Sequence, residues 1–391
     1  MLNTSLSPWP SFTQEEADAV SKVLLSNKVN YWTGTECREF EKEFAAFAGT
    51  QYAVALSNGT LALDVALKAM GIGAGDDVIV TSRTFLASAS CIVTAGANPV
   101  FADVDLNSQN ISAETIKAAL TPNTKAIIVV HLAGMPAEMD DIMDLAKEHD
   151  LWVIEDCAQA HGAKYKGKSV GSIGHVGAWS FCQDKIMTTG GEGGMVTTND
   201  KELWSKMWSY KDHGKSYDAV YHREHAPGFR WLHESFGTNW RMMEMQAVIG
   251  RIQLKRMPKW TARRQAHATK LAESLGKFAS IRLIEVADYI EHAQYKFYAF
   301  VKPEHLKDGW TRDRIVNELN VRKVPCYQGS CSEVYLEKAF DNTPWRPKER
   351  LRNAVELGDT SLMFLVHPTL TDDEIAFCKE HIEAVLAEAT A

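Results

Sequence analysis

Short apolar runs alternate with helix-periodic stretches between residues 52 and 200. The apolar runs that predict buried strands are 78–80, 99–101, 126–130 and 152–154. Helix-periodic stretches lie at 60–70, 84–96 and 138–149. Alternation of this kind is typical of a mostly parallel sheet that is covered by helices on both faces.

The pattern changes after residue 200. A long polar and aromatic stretch covers about 212–238, and a loop of this length inside a compact protein is more often functional than not. Helical spacing of apolar residues resumes at 245 and continues to about 275, followed by a strand-like run at 297–301 and helix-like stretches at 311–320 and 372–388. We therefore expect a large domain, 1–255, and a smaller C-terminal α/β domain, 256–391, because 391 residues exceed one compact core.

Composition narrows the class of protein. Hydrophobic residues make up 45% and charged residues 24%, as in ordinary globular proteins. The net charge of -8 argues against a nucleic-acid partner, because phosphate binding needs a basic surface. No apolar run reaches the roughly 18 residues that cross a bilayer, and residues 1–10 lack the pattern of a signal peptide. The seven scattered cysteines suggest neither a disulfide framework nor a zinc site, so we expect a cytoplasmic protein without a metal.

The most informative residue is Lys185, which is followed by glycines at 190, 191, 193 and 194. Upstream of it, the strand-like run at 151–154 leads into Glu155 and Asp156, and Ser180 lies between Asp156 and the lysine. A buried carboxylate, a hydroxyl and an amine in this order suit pyridoxal 5'-phosphate. The amine bonds the cofactor aldehyde, the carboxylate keeps the ring nitrogen protonated, and the hydroxyl helps to hold the phosphate. Taken singly, such a lysine is usually a solvated loop residue and such an aspartate is often a helix cap.

Further candidates lie near other predicted strand ends. Ser57-Asn58-Gly59-Thr60 precedes a helix, where free N–H groups favour an anion, although an ordinary N-cap is the alternative. Phe85 follows a strand and is a candidate for stacking on a pyridine ring, although a phenylalanine there is usually core. Gln159 is placed to reach a cofactor beside Asp156, and His131 has the pattern of a buried, satisfied histidine.

Together these motifs resemble the DegT/StrS-type sugar aminotransferases, within the aspartate-aminotransferase-like enzymes of fold type I. The resemblance covers nearly the whole chain. It rests on Tyr31-Trp32-Thr33-Gly34, Ser57-Asn58-Gly59-Thr60, Thr84-Phe85, Asp103-Val104-Asp105, His131-Leu132-Ala133-Gly134, Glu155-Asp156-Cys157-Ala158-Gln159, the Lys185 segment, Gly237-Thr238-Asn239-Trp240-Arg241 and His367-Pro368-Thr369.

The resemblance implies a role for each matching residue. Lys185 is similar to the lysine that bonds the cofactor, Asp156 to the partner of the ring nitrogen, and Gln159 to the side chain near the ring hydroxyl. Phe85 resembles the stacking aromatic, and the phosphate group is implied to be held by Gly59, Thr60, Ser180 and, from a second subunit, Asn239. The family also implies a homodimer with shared active sites and L-glutamate as amino donor.

Three activities are compatible with the motifs. Transamination is the first, and Lys185 favours it, because a dehydratase of the family has a histidine in place of this lysine. A sugar dehydratase or lyase with the same cofactor is the second possibility, and a stoichiometric amino donor distinguishes the two. A non-catalytic cofactor-binding regulator is the third, but no basic surface or DNA-binding segment supports it.

The sugar is the least defined part of this interpretation. Most family members aminate nucleotide-linked 3- or 4-keto hexoses, but segments 231–236 and 325–329 differ from the forms associated with those enzymes. The closest resemblance is to transaminases that convert 3,8-dideoxy-8-oxo-manno-octulosonate to its 8-amino derivative for lipopolysaccharide. We expect an acidic sugar to be bound by a cation from 212–241, with Arg230 preferred to Arg241 and His225; Trp32 is a further substrate-binding candidate.

Overall fold

The computed structural model describes residues 6–391; the first five residues of the N-terminal segment 1–10 lie outside the described residues. The strands are β1 (Tyr52–Leu56), β2 (Asp77–Thr81), β3 (Asn98–Ala102), β4 (Thr124–Val130), β5 (Trp152–Asp156), β6 (Lys164–Tyr165), β7 (Lys168–Ser169), β8 (Val176–Ser180), β9 (Gly194–Thr198), β10 (Ile281–Leu283), β11 (Ile290–Glu291), β12 (Phe297–Val301), β13 (Cys326–Tyr327) and β14 (Ser361–Phe364). The α-helices are α1 (Gln14–Leu25), α2 (Glu36–Ala48), α3 (Gly59–Ala69), α4 (Ala87–Thr94), α5 (Ala113–Ala119), α6 (Met139–Glu148), α7 (Lys201–Lys211), α8 (Tyr217–Tyr221), α9 (Glu244–Leu275), α10 (Arg312–Val321), α11 (Arg352–Thr360) and α12 (Asp372–Ala389).

A seven-stranded sheet forms the large part of the molecule, in the order β1-β9-β8-β5-β4-β2-β3. Its strands pair in parallel from β8 to β3, and β9 is antiparallel to both of its neighbours. Alternate residues of β4 pack into hydrophobic cores on opposite faces of the sheet: Ile127 and Val129 on one face, and Ile128 on the other. Burial on both faces explains why the strand sequences are continuously apolar. The predicted fold class and the predicted strands in this region are confirmed.

A four-stranded antiparallel sheet, β10-β12-β14-β13, forms the smaller part of the chain. Apolar residues of α10, α12 and the end of α9 share one core with these strands. The predicted domain boundary between residues 255 and 256 falls inside α9, a continuous helix of 32 residues, and stays a prediction. No helix within residues 6–391 has both the length and the apolar character needed to cross a membrane.

The N-terminal residues 6–10 lie against the small part of the molecule. The Ser7 backbone N–H donates to Glu374 Oε1 at 2.6 Å, and Thr369 Oγ1 donates to the Pro8 carbonyl at 2.8 Å. The Trp9 ring is stacked on His367, with 6.1 Å between ring centroids. These contacts place Trp9 beside the residues that follow β14.

Polar residues collect where β4, β5 and β8 end. His131 follows β4, Asp156 ends β5 and Ser180 ends β8, and the carboxyl ends of parallel strands meet at one edge of the sheet. His131 is fully buried and its Nε2 lies 2.9 Å from Glu155 Oε2, while its Nδ1 accepts the Ala137 N–H at 3.1 Å. The interpretation of His131 as a buried, satisfied residue is confirmed, and the sheet presents Asp156 and Ser180 at the edge where ligands of α/β proteins bind.

Candidate active site

A cavity of about 620 Å³ opens at the carboxyl ends of β4, β5 and β8. The chain closes it from one side with the start of α3 and from the other with the segment after β8. Its walls include Gly59, Thr60, Phe85, Ser88, Asp156, Gln159, Ser180, Asp184 and Lys185. One chain therefore brings together Lys185 and all the predicted cofactor-binding residues except Asn239.

Asp156 is a buried carboxylate at the inner end of this cavity. Its Oδ2 accepts a hydrogen bond from Ser88 Oγ at 2.8 Å, and its Oδ1 accepts the Ala158 N–H at 3.1 Å. Burial raises the pKa of Asp156 despite these hydrogen bonds, because desolvation penalises the charged form. A cation placed against Asp156 would stabilise the carboxylate and be stabilised by it.

Lys185 is held from two directions. Its Nζ lies 3.3 Å from Asp184 Oδ1 and 5.4 Å from the centroid of the Tyr295 ring. The Tyr295 hydroxyl donates to Asp184, and the Trp9 Nε1–H donates to the Lys185 carbonyl at 2.9 Å. The Lys185 side chain is 19% exposed. Its amine is therefore held by neighbouring residues and still accessible to a ligand in the cavity.

The start of α3 lies directly against Ser180. Asn58 caps the helix, since its side chain accepts the Leu61 N–H at 3.0 Å; the cap is compatible with an anion at the helix start, and anion binding there stays a prediction. A Cβ added at Gly59 would lie 2.5 Å from the Ser180 Cβ, which is closer than such atoms approach each other. The helix N-terminus and the serine hydroxyl therefore face one small space, and the positive end of the helix favours an anion there.

Replacing Gly59 with alanine is expected to weaken binding of a phosphate-bearing cofactor by about 10- to 100-fold, because the new methyl group pushes α3 and β8 apart. Equilibrium titration of the cofactor measures the change. Gly73→Ala is the matched control, since the nearest atom to a Cβ there is the Ala95 carbonyl oxygen at 3.8 Å. Equal cofactor affinity in the two variants would contradict the prediction.

Gln159 and Phe85 form the rest of the predicted ring environment. Gln159 Oε1 accepts the Ala133 N–H at 2.8 Å, which fixes the side chain in the turn after β5. The Phe85 ring lines the same cavity and is 72% exposed, unlike a core phenylalanine. The alternative interpretation of Phe85 as a core residue is therefore wrong, and its role in stacking stays a prediction.

Asn239 and Arg241 lie outside the residues that line this cavity. Asn239 is exposed and pairs through its backbone with Asp212. Arg241 Nη1 donates to Asp212 Oδ1 at 2.7 Å, so its charge is paired within the chain. Their predicted contacts with the phosphate and the sugar stay predictions.

The other predicted substrate residues also lie outside the cavity lining. Arg230 is exposed in the stretch 222–236, where Phe229 and Trp231 are exposed as well. His225 Nε2 lies 2.6 Å from the Ala219 carbonyl oxygen. The Trp32 ring is stacked on Tyr221 with 6.5 Å between centroids. Within one chain these side chains do not meet Lys185.

The sequence interpretation missed several residues that contact the site: Trp9, Ser88, Asp184 and Tyr295. Ser88 could have been found from the sequence, because it lies four residues after Thr84, a residue of the recognised Thr84-Phe85 motif. The Thr84 and Ser88 hydroxyl oxygens are 2.9 Å apart. Asp184 is adjacent to Lys185 in the chain. Trp9 and Tyr295 gave no such signal, because they are distant in sequence.

Comparison with known proteins identifies relatives across the whole chain. An aminotransferase from Psychrobacter cryohalolentis, known from an X-ray structure, is 65% identical with a TM-score of 0.96, covering 98% of this chain and 99% of that one. The spore coat polysaccharide biosynthesis protein SpsC of Bacillus subtilis is 36% identical over 96% of this chain and 95% of its own. The dTDP-3-amino-3,4,6-trideoxy-alpha-D-glucose transaminase of Streptomyces venezuelae is 38% identical over 82% of this chain and 79% of its own.

The cavity also fits pyridoxal 5'-phosphate. The cofactor's aldehyde, ring nitrogen and phosphate each need a partner, and Lys185, Asp156 and the Gly59–Ser180 space supply them. The fit rests on the desolvated Asp156 carboxylate and on a space that a single Cβ would fill. The profile of the DegT/DnrJ/EryC1/StrS aminotransferase family matches residues 10–383, and the chain belongs to this family.

Proposed function

We propose that this enzyme transfers the amino group of L-glutamate to the carbonyl carbon of a keto or aldehyde sugar, with pyridoxal 5'-phosphate as cofactor. The observation that carries the proposal is the convergence of Lys185 and Asp156 in one cavity at the strand ends of a family aminotransferase. Bound cofactor supplies a cationic ring that withdraws electrons from the reacting substrate carbon.

The protein's residues divide the remaining work. Asp156 holds the ring nitrogen in its protonated form, because a buried carboxylate favours an adjacent cation. With the cofactor bound, the Lys185 amine would take the proton from the reacting carbon of glutamate, and in the second half-reaction it would give a proton to the former carbonyl carbon of the sugar. Asp184, itself held by Tyr295, positions the Lys185 amine for this transfer.

The finer proposal concerns the sugar. We propose 3,8-dideoxy-8-oxo-manno-octulosonate, aminated at carbon 8 for lipopolysaccharide, since Arg230 offers an exposed guanidinium for its carboxylate. The alternative is a nucleotide-linked 3- or 4-keto-6-deoxyhexose, which the name of the Streptomyces venezuelae relative favours.

The test supplies L-glutamate and a panel of keto sugars to the purified enzyme and follows 2-oxoglutarate. We expect stoichiometric 2-oxoglutarate and an amino sugar, with the octulosonate turned over fastest. Faster turnover of a nucleotide-linked hexose would select the alternative. Product formation without consumption of glutamate would instead indicate a dehydratase or lyase and overturn the transaminase proposal.

We further propose a symmetric dimer in which the stretch 212–241 completes the active site of the partner subunit. Asn239, Arg230 and Arg241 of this stretch lie outside the lining of the cavity in their own chain, which supports this arrangement. In a two-fold dimer each contact occurs twice, so each active site would receive residues from the partner subunit. Asn239 would then contact the cofactor phosphate across the interface.

Subunit mixing tests the shared site. Asn239→Asp is expected to lose activity because a carboxylate repels the phosphate, and Lys185→Ala is expected to be inactive. After exchange of equal amounts, about half of the dimers are mixed, and each has one site with both defects and one intact site, giving roughly a quarter of wild-type activity. If subunits exchange and the mixture stays inactive, Asn239 acts within its own chain.

A further inference from the structure

Two cations with little acidic charge near them, Arg264 and Lys296, lie close to Tyr295, the residue whose ring is next to Lys185. Arg264 is 1% exposed, and its Nε and Nη2 have no hydrogen-bond partner within residues 6–391. Its Nη1 donates to the Tyr295 carbonyl at 3.3 Å, and its guanidinium carbon lies 5.0 Å from the centroid of the Trp9 ring. Backbone and ring contacts hold Arg264 in place without neutralising its charge.

Lys296 is a second, half-buried cation beside the same tyrosine, and it lies next to the cavity without being one of the residues that line it. Its Nζ lies 4.8 Å from the Tyr295 ring centroid, and the Lys185 Nζ lies 5.4 Å from it, so both amines flank one ring. The acidic group near Lys296 is Asp184, which already contacts Lys185 and Tyr295. The charge around Tyr295 is therefore positive in excess.

This excess has an energetic cost. Burial and the nearby Arg264 charge lower the pKa of Lys296 to about 8, and burial lowers the pKa of Arg264 to about 9. His367 cannot relieve the charge, because burial and the same two cations lower its pKa to about 3 and keep it neutral. Cations that are removed from water are normally paired with acidic groups, so this excess of positive charge favours an anion that arrives with a ligand.

We propose that Lys296, supported by Arg264, binds a carboxylate of the substrate that reacts at Lys185. The inference rests on the proposed transamination, whose donor, L-glutamate, carries two carboxylates. An acidic sugar would offer the same chemistry in the second half-reaction, because both substrates use one cavity. A charge-assisted contact of this kind contributes binding energy and orients the reacting carbon.

Lys296 gives a sharper test than Arg264, whose backbone contact makes it structural as well. Lys296→Met keeps the length and removes the charge, and Lys296→Arg keeps the charge. Lys255→Met is the matched control, because Lys255 is exposed on α9. The readouts on cofactor-loaded enzyme are KM and kcat for glutamate and for the sugar, the Kd of succinate as a non-reacting dicarboxylate, and Tm.

We expect Lys296→Met to raise the KM for glutamate and the Kd of succinate on the order of 10- to 100-fold, with a smaller change in kcat. Lys296→Arg should bring the KM for glutamate and the Kd of succinate most of the way back to the wild-type values. The Tm of Lys296→Met should equal or exceed that of wild type, since a cation in excess of its acidic neighbours is removed. A rise confined to the KM of an acidic sugar would assign the subsite to the sugar instead of the donor.

The inference is overturned if Lys296→Met leaves both KM values and the succinate Kd at wild-type levels. It is also overturned if Lys296→Met lowers Tm and Lys296→Arg fails to restore binding, because Lys296 is then structural. Wild-type enzyme that consumes no glutamate with any sugar would instead refute the proposed function, which separates the two failures.

Discussion

Lys185→Ala is expected to lower the transamination rate by roughly 10⁴-fold, because the amine that bonds the cofactor and moves the proton is removed at once. The cavity should persist, since Asp184 keeps its contact with Tyr295. The measurement is the rate of 2-oxoglutarate formation from glutamate and a keto sugar.

A second readout separates covalent attachment from activity. Borohydride reduction followed by dialysis should leave cofactor on the wild type and on Lys168→Ala, a control at an exposed lysine of β7. Lys185→Ala should retain none. A variant without Lys185 that still traps the cofactor after reduction would remove Lys185 from this role.

Asp156→Asn is expected to lower the rate by about 30- to 900-fold, which corresponds to roughly 2–4 kcal/mol of lost transition-state stabilisation. An amide has nearly the same shape, but it carries no charge for the ring nitrogen. The kcat of the variant is compared with that of Asp144→Asn, a control at an exposed position of α6. Turnover near the wild-type value would contradict the assignment of Asp156.

The pKa of Asp156 adds a stability test to this variant. Burial raises the folded-state pKa, so ionising Asp156 costs stability as pH rises through the interval between the unfolded and folded pKa values. The cofactor-free Asp156→Asn protein has no such ionisation and should be at least as heat-stable as cofactor-free wild type at neutral pH. The Tm of each cofactor-free protein is measured by thermal unfolding. A lower Tm for Asp156→Asn than for wild type would show that the Asp156 carboxylate stabilises the fold.

The central strands were predictable because each is buried on both faces and therefore reads as an apolar run. β8 was harder to recognise, since its sequence Val-Gly-Ala-Trp-Ser contains small and polar residues. The structure explains the glycine: a Cβ at Gly177 would lie 2.5 Å from the Gly171 Cα. Close backbone packing therefore requires a glycine in β8, and the glycine interrupts the apolar run by which a fully buried strand is recognised in a sequence.

The site was predictable where its groups end or follow two neighbouring strands of the sheet: Asp156 ends β5, Ser180 ends β8 and Lys185 follows β8. It was not predictable where distant segments meet. Trp9 contacts Lys185 across 176 positions, and Tyr295 contacts Asp184 across 111. Such contacts depend on how the smaller sheet packs against the larger one, and no local pattern encodes that packing.

The docking of residues 6–10 has a consequence for biosynthesis. Ser7 and Pro8 leave the ribosome well before their partners Glu374 and Thr369, which lie 367 and 361 positions later in the chain. Domains that fold during synthesis do so in order from the N-terminus, so the large sheet can form well before this segment has a surface to bind. We expect the contact between Trp9 and Lys185 to form after the large sheet, so that a nascent chain completes this part of its active site only once α12 has emerged.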